Sequence, residues 1–451
     1  MYQWVAKMKP QKSTITLTLI TIGIIFVWGW SYLMTTSATA SLPWEIYDNS
    51  LYLSGLLSIG LMSVTLMLAT RPAWLEAPFN GLDQIYRLHK WTGILAVFFA
   101  ALHWLIEMGD DLVKSLFGRG GRLPEQDFSG FVDMMRDGAE AVGEWAVYLV
   151  FAMLVLTLWK RFPYKIWRYL HRAMPVLYLL VVFHAVWLAP IAWWQQPVGL
   201  LMALLLMGGS VASILSLSGK VGHSRQVQGS IQSISTSTMG ITEVECQLEQ
   251  KWKGHRAGQF AFVTFDRREG AHPFTIANSD QGNGQVTFQI KALGDYTKHL
   301  DHKLKIGQSV TIEGPYGKFN FKQRKLNAEQ IWIAGGIGIT PFLAWLEALQ
   351  NQPEQSPVAQ LHYCTRDSAT DPFVKRLQLA CSSLTGIQLH VHDSNQGKKL
   401  TADQLLTQHP RKGAMEVWFC GPAALAKILE KELRERLEGS LFFRQEAFEL
   451  R

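Results

Sequence analysis

Cysteine is scarce and late in this 451-residue chain: Cys246, Cys364, Cys381 and Cys420 are the only four. No two stand at a paired or metal-ligand spacing, which excludes a disulfide framework and a zinc-type cluster and reads as reduced thiols in a cytoplasmic compartment. Lys and Arg are absent from 36–50 and from 190–196. Also missing are a Gly-x-Gly-x-x-Gly fingerprint and an Asp-x-Asp-x-Asp-Gly loop, so neither a dehydrogenase-type turn nor calcium control is supported. No nucleophile with its acid–base partner is evident.

What is present divides sharply. Residues 13–218 hold long apolar runs rich in Trp, Phe and Leu, while 220–451 read as an ordinary soluble protein. The length suits two or three domains, drawn here as 1–219, 220–325 and 326–451. The net charge of +7 argues for no nucleic-acid partner, because the basic residues cluster at the ends of the apolar runs.

Six segments are long enough to cross a lipid bilayer: 15–34, 51–69, 89–107, 143–159, 171–189 and 197–217. Lys7, Lys9 and Lys12 precede the first, which reads as a retained anchor rather than a cleaved signal. Arg71, Arg87 and Lys90 flank the second connection, and Lys160, Arg161, Lys165, Arg168 and Arg172 fill the fourth. The 108–142 loop instead carries Asp110, Asp111, Asp127 and Asp133. The positive-inside rule then places both termini in the cytoplasm of a multi-pass protein of the bacterial inner (plasma) membrane, which an even number of spans requires.

Before residue 220 the only histidines are His89 and His103 on the third span and His171 and His184 on the fifth. Fourteen residues at about 100° each return within about 40° of whole turns, so the first pair shares one face; thirteen fall about 140° short. The second pair therefore needs a local adjustment, for which Pro175 is a reason. The two spans run in the same direction, so His89 stands level with His171 and His103 with His184. Imidazoles facing at two levels about 21 Å apart are what two bis-histidine haems need.

Beyond Gly219, short alternating runs read as strands of a small antiparallel barrel: Val227–Ile234, Ile241–Leu248, Gln259–Phe265, Gln285–Lys291 and Ser309–Glu313. From about 326 strands alternate with helices, at Ile331–Ala334, Ala359–Tyr363, Gln388–Val391 and Glu416–Phe419, as in a doubly wound parallel sheet. Gly335-Gly336-Ile337-Gly338-Ile339-Thr340-Pro341 follows the first of these strands and opens a helix. Glycines there let a pyrophosphate approach backbone amides at a helix N-terminus.

The four histidines resemble the ferric reductase and NADPH oxidase superfamily, and the soluble half is similar to ferredoxin-reductase-like enzymes. The resemblance implies a multi-domain protein with three parts. They are a six-helix transmembrane haem-binding bundle, an antiparallel β-barrel FAD domain and an α/β doubly wound NAD(P)-binding domain. It implies haem b at two sites, inner at His89 and His171 and outer at His103 and His184. Phe98, Phe99, Leu177 or Tyr178 would lie between the levels. His272-Pro273-Phe274-Thr275 with Ser279 would lie along FAD. Lys291 and Gly294-Asp295-Tyr296-Thr297 would hold the flavin pyrophosphate, and Gly314-Pro315-Tyr316-Gly317 would end the barrel. Gly335, Gly336, Gly338, Thr340 and Pro341 would hold the nicotinamide nucleotide. Cys420-Gly421-Pro422 would flank the nicotinamide, and Phe448 would cover the flavin ring. Arg366, where the family reads the ribose, would favour NADPH over NADH.

These assignments imply electrons passing from cytoplasmic NAD(P)H through FAD and two haems to an acceptor outside. The first choice is O2, giving superoxide; a ferric chelate is the alternative, and a haem relay feeding a partner protein is a third reading. The eukaryotic oxidases carry a histidine one turn beyond the outer ligand, where this chain has Glu107.

Overall fold

The computed structural model describes residues 12–34, 41–79, 81–120, 122, 128–159, 161–237, 239–294, 296–407 and 413–446, and the chain falls into two compact units, 1–221 and 222–451.

The regular structure described in the first unit is all helical, as backbone immersed in hydrocarbon must be if every N–H and C=O is to find a partner. Its helices are α1 (Lys12–Met34), α2 (Leu42–Ala69), α3 (Ala73–Phe79), α4 (Leu82–Met108), α5 (Asp110–Phe117), α6 (Phe131–Leu158), α7 (Tyr164–His171), α8 (Met174–Leu188) and α9 (Pro197–Leu217). Among the described residues six spans are long and apolar enough to cross a membrane, α7 and α8 together making the fifth. Helix α6 begins about three turns earlier than hydropathy predicts. Asp133, Arg136, Asp137 and Glu140 end the apolar run without ending the hydrogen-bond ladder.

The adjustment expected in the fifth span is a break. Helix α7 stops at His171, the bonding tightens as Ala173 N–H donates to Leu170 O at 3.0 Å, and α8 restarts at Met174. Pro175 sits in the first turn of α8, where its missing N–H costs no hydrogen bond. Hydroxyls join the spans across their apolar faces. Ser63 Oγ on α2 lies 2.8 Å from the Tyr178 hydroxyl on α8, and Thr65 bonds Thr92 at 2.8 Å. Tyr178 therefore points toward α2 and α9 and is fully buried, whereas Phe98 is 57% exposed on the outside of the bundle.

The second unit opens with β1 (Gln226–Thr236), β2 (Ile241–Leu248), β3 (Phe260–Thr264), β4 (His272–Thr275), β5 (Gln285–Lys291) and β6 (Ser309–Tyr316). They form an antiparallel sheet in the order β4-β3-β6-β1-β2-β5, and a bridge from Ile276 to Phe288 brings its two edges together as a barrel. Alternate residues such as Val244, Cys246 and Leu248 fill its core. The short α10 (Leu300–Lys303) precedes β6. Strand β4 was legible only as a motif; it is four residues long and contains a proline, which suits an edge.

The chain then winds β7 (Glu329–Gly335), α11 (Thr340–Asn351), β8 (Ala359–Thr365), α12 (Pro372–Ser382), β9 (Ile387–Asp393), α13 (Ala402–Thr407), β10 (Met415–Cys420), α14 (Ala423–Arg436) and β11 (Leu441–Glu446). All pairs in the sheet β11-β10-β7-β8-β9 are parallel. Glu416 is fully buried in β10, and its carboxylate accepts from Arg444 Nε at 2.7 Å and Lys325 N at 2.6 Å.

Trp345 of α11 welds this sheet to the barrel. Its ring stacks on Phe319 at 4.9 Å, meets Trp332 edge-on at 5.0 Å and Trp418 at 5.2 Å, and its Nε1–H donates to Ala257 O at 3.1 Å. Trp345→Ala would leave a cavity and an unpaired carbonyl. It is expected to destabilise the second unit by about 3–5 kcal/mol, read as an earlier thermal transition, with Trp345→Phe intermediate.

Candidate functional site

The two histidine levels predicted from spacing meet in space. His89 and His171 have ring centroids 6.2 Å apart at 78°, and His103 and His184 are 6.3 Å apart at 83°. An iron bonded to two imidazoles at about 2.0–2.1 Å each would hold their centroids roughly 6.3 Å apart. Both pairs thus stand at the separation a shared metal would need.

Three of the four rings are fixed from behind. The Nδ1 of His89 lies 2.9 Å from Thr65 O, that of His103 is 2.9 Å from Leu51 O, and that of His184 is 2.8 Å from Ala139 O. A carbonyl only accepts, so Nδ1 carries the proton and Nε2 keeps the lone pair a metal requires. Such bonds orient a ligating imidazole and raise its basicity. The outer rings also lie against bare backbone: a Cβ on Gly143 would stand 2.3 Å from His184 Nδ1, and one on Gly55 would stand 3.1 Å from His103. His171 is held differently, by the Trp167 indole stacked on it at 4.9 Å and 18°. None of these supports was foreseen. A carbonyl belongs to every residue type, and Gly143 is one glycine among several in the spans.

In the second unit, the ends of β7 and β10 approach backbone to backbone. A Cβ on Gly338 would lie 2.2 Å from Cys420 O, and one on Gly335 would lie 2.6 Å from Pro422 Cδ. The Gly335-Gly336 turn therefore sits beside Cys420-Gly421-Pro422, with Lys291 Nζ 4.0 Å from where a Gly336 Cβ would be. Thr340 and Pro341 open α11, and Thr340 Oγ1 donates to Ile337 O at 2.8 Å, so the turn enters the helix as a pyrophosphate cradle requires. Burial, and secondarily Glu446, raise the Cys420 thiol well above its usual range, so it is a neutral group rather than a nucleophile.

On the barrel, the Thr275 hydroxyl is buried and has no hydrogen-bond partner among the described residues. An orphaned buried hydroxyl costs free energy unless a ligand satisfies it, which fits a flavin lying along His272–Thr275. The His272 ring stacks on Tyr296 at 4.4 Å and 9°. Burial, aided by Asp266 and Glu269, pushes the Tyr296 phenol up to about 12, so it stays neutral. Thr297 Oγ1 accepts from Leu293 N and Gly294 N at 3.0 Å each, fixing the predicted turn.

Ser279, four residues beyond Thr275, has partners within the protein. Its hydroxyl accepts from Gln281 Nε2 at 2.8 Å and Asn351 Nδ2 at 3.2 Å, tying the barrel to the end of α11. Arg366 is exposed just beyond β8. Asp295 and Phe448 lie outside the described residues. Glu446, which the sequence reading passed over, is the register partner of Cys420, and its Oε1 reaches within 3.4 Å of a Gly317 Cβ position.

Three family models match the chain in succession: the ferric reductase like transmembrane component over 54–182, the oxidoreductase FAD-binding domain over 224–321, and the oxidoreductase NAD-binding domain over 332–431. The chain is 24% identical over 214 residues to the anthranilate 1,2-dioxygenase electron transfer component of Acinetobacter baylyi, covering 45% of this chain and 60% of that protein. With the carnitine monooxygenase reductase subunit of Escherichia coli it shares 32% over 138 residues, covering 30% and 39%. The chain thus spans less than two thirds of these relatives' length. Phthalate dioxygenase reductase superposes with a TM-score of 0.41 at 21% identity, covering 49% of this chain and 68% of that one.

A transmembrane component, a flavin barrel and a nucleotide domain, joined in that order, give this chain the ferric reductase and NADPH oxidase-like architecture of an NAD(P)H-dependent oxidoreductase.

Proposed function

We propose that this protein is a transmembrane flavocytochrome that takes electrons from cytoplasmic NAD(P)H, through FAD and two b-type haems, to O2 on the far side of the membrane. The observation that carries this reading is the pair of histidine couples at 6.2 and 6.3 Å, each at the separation one iron would bridge. FAD, when bound, would supply the conversion of a two-electron hydride into single electrons, and haem held by the four histidines would supply one-electron transfer.

The remaining work belongs to the protein's own groups. The Gly335–Gly338 turn and the start of α11 hold the nucleotide's phosphates, and Lys291 supplies a nearby cation. The neutral Cys420 thiol and the Gly421-Pro422 turn give the nicotinamide a dry, uncharged wall. Thr275, His272 and the Gly294–Thr297 turn hold the flavin. His89, His103, His171 and His184 hold the irons, and the carbonyls of Thr65, Leu51 and Ala139 keep three of those rings from turning. Basic loops between the second and third and the fourth and fifth spans support a cytoplasmic soluble unit and outward transfer.

A ferric chelate is the second reading, motivated by the carboxylates beyond the outer pair. Asp110, however, is engaged by Lys114 and by Arg122, the latter at 3.4 Å, and Lys114 also reaches Asp111 at 3.5 Å. Part of that negative charge is neutralised locally, which favours an uncharged acceptor.

Three measurements test this function. Membranes oxidising NADPH should reduce cytochrome c in a manner abolished by superoxide dismutase; a ferrous product insensitive to dismutase would replace O2 with iron. His103→Leu should lower haem content from two per chain to one and stop acceptor reduction while NADPH still bleaches the flavin, and retention of both haems would sink the ligand assignment. Arg366→Ser should raise KM for NADPH roughly 10- to 100-fold, from the loss of a charge-assisted bond, with little change for NADH. An equal effect on both nucleotides would remove Arg366 from the 2′-phosphate.

A further inference from the structure

The two histidine levels are supported unequally. Each outer ring bonds a backbone carbonyl through Nδ1 and lies against a glycine, at Gly55 or Gly143. At the inner level His89 bonds Thr65 O, but His171 has no hydrogen bond to a carbonyl or carboxylate among the described residues. Helix geometry explains the difference. His171 is the last residue of α7, which the turn at Arg172–Ala173 separates from α8. It therefore belongs to a different helical segment from the one that presents His184.

In place of a hydrogen bond the ring has a stack. Trp167 lies one turn earlier on α7, where i and i+4 side chains meet on one face. Its indole is nearly parallel to the imidazole, at 18° with centroids 4.9 Å apart. The indole is itself pinned: Nε1–H donates to Thr157 Oγ1 at 2.9 Å, and that hydroxyl donates onward to Met153 O at 2.7 Å. A planar ring clamped on one face can neither swing nor tilt far without losing contact, so the stack limits the imidazole to orientations that face His89.

We propose that Trp167, held by Thr157 of α6, is the positioning residue for the inner iron ligand His171, doing through ring stacking what backbone carbonyls do for the other three histidines. This rests on the haem-binding reading above. A haem that lacks one imidazole would be five-coordinate and high-spin and, when reduced, open to carbon monoxide, whereas a bis-histidine haem would be neither, so the spectrum reports the ligand directly.

The test uses the full-length protein purified with its haems. Wild type should contain two low-spin, carbon-monoxide-silent haems per chain. Trp167→Ala should leave the outer haem low-spin and convert the inner one to a high-spin, carbon-monoxide-reactive form, or lose it. Trp167→Phe, which keeps a stacking ring, should restore low-spin character. If Trp167→Ala does not accumulate, Thr157→Val decides: by unpinning the indole it should shift the low-spin resonance signal of one haem only. Spectra of Trp167→Ala, or in its absence Thr157→Val, that match wild type overturn the positioning role and leave the haem reading intact. Wild type without low-spin haem overturns both.

Discussion

The arrangement of the membrane unit depends on one kind of bond: an imidazole Nδ1–H given to a backbone carbonyl of a neighbouring helix. Within a helix each carbonyl already accepts from the amide four residues on, but it keeps a second lone pair. In hydrocarbon that lone pair is available to few donors, and a histidine on the next helix is one of them. Helix α2 provides both carbonyls for α4, at Thr65 and Leu51, and α6 provides one for α8, at Ala139. The helix pairs therefore cannot slide past one another without letting go of a ring. Close approach is possible because the facing positions are small, as at Gly55 and Gly143, and because Ser58, Ser63 and Thr65 satisfy each other's neighbours rather than adding bulk.

The soluble unit solves a different problem, since water can satisfy any exposed group there. Its site depends on backbone meeting backbone, with Gly338 against Cys420 and Gly335 against Pro422. Beneath the sheet, the large rings of Trp332, Trp345 and Trp418 pack into one buried cluster. Buried polar atoms mark where the protein expects something else to bind. Thr275 is the clearest case, a hydroxyl packed in the barrel with no protein acceptor among the described residues.

Much of this was legible in the sequence because it rests on periodicity and on residue types with few uses. Histidine inside an apolar span has little reason to be there, and four at matched depths define two levels. The run Ile331–Pro341 announces strand, turn and helix by composition alone. What stayed hidden depends on contacts between segments far apart in the chain. The supporting carbonyls have no residue type, Tyr178 turns toward α2 because Ser63 waits there, and Ser279 is drawn to Asn351 rather than left beside the flavin strand. Strand β4 escaped because four residues with a proline show no alternation. The early start of α6 escaped because charge ends a hydropathy window but not a helix.

The break between α7 and α8 gives the two histidine-bearing spans different tolerances to change in length. Helix α4 is a single ruler: inserting one residue anywhere between His89 and His103 would turn one ring by about 100° away from its partner and disable a whole level. The other span is jointed: between α7 and α8 the Ala173 amide bonds three residues back, to Leu170 O, instead of four. An insertion there would fall in a turn that can absorb rotation, leaving each half-helix seated on its own neighbour. Over evolutionary time, then, the spacing on the third span should drift less than the spacing on the fifth.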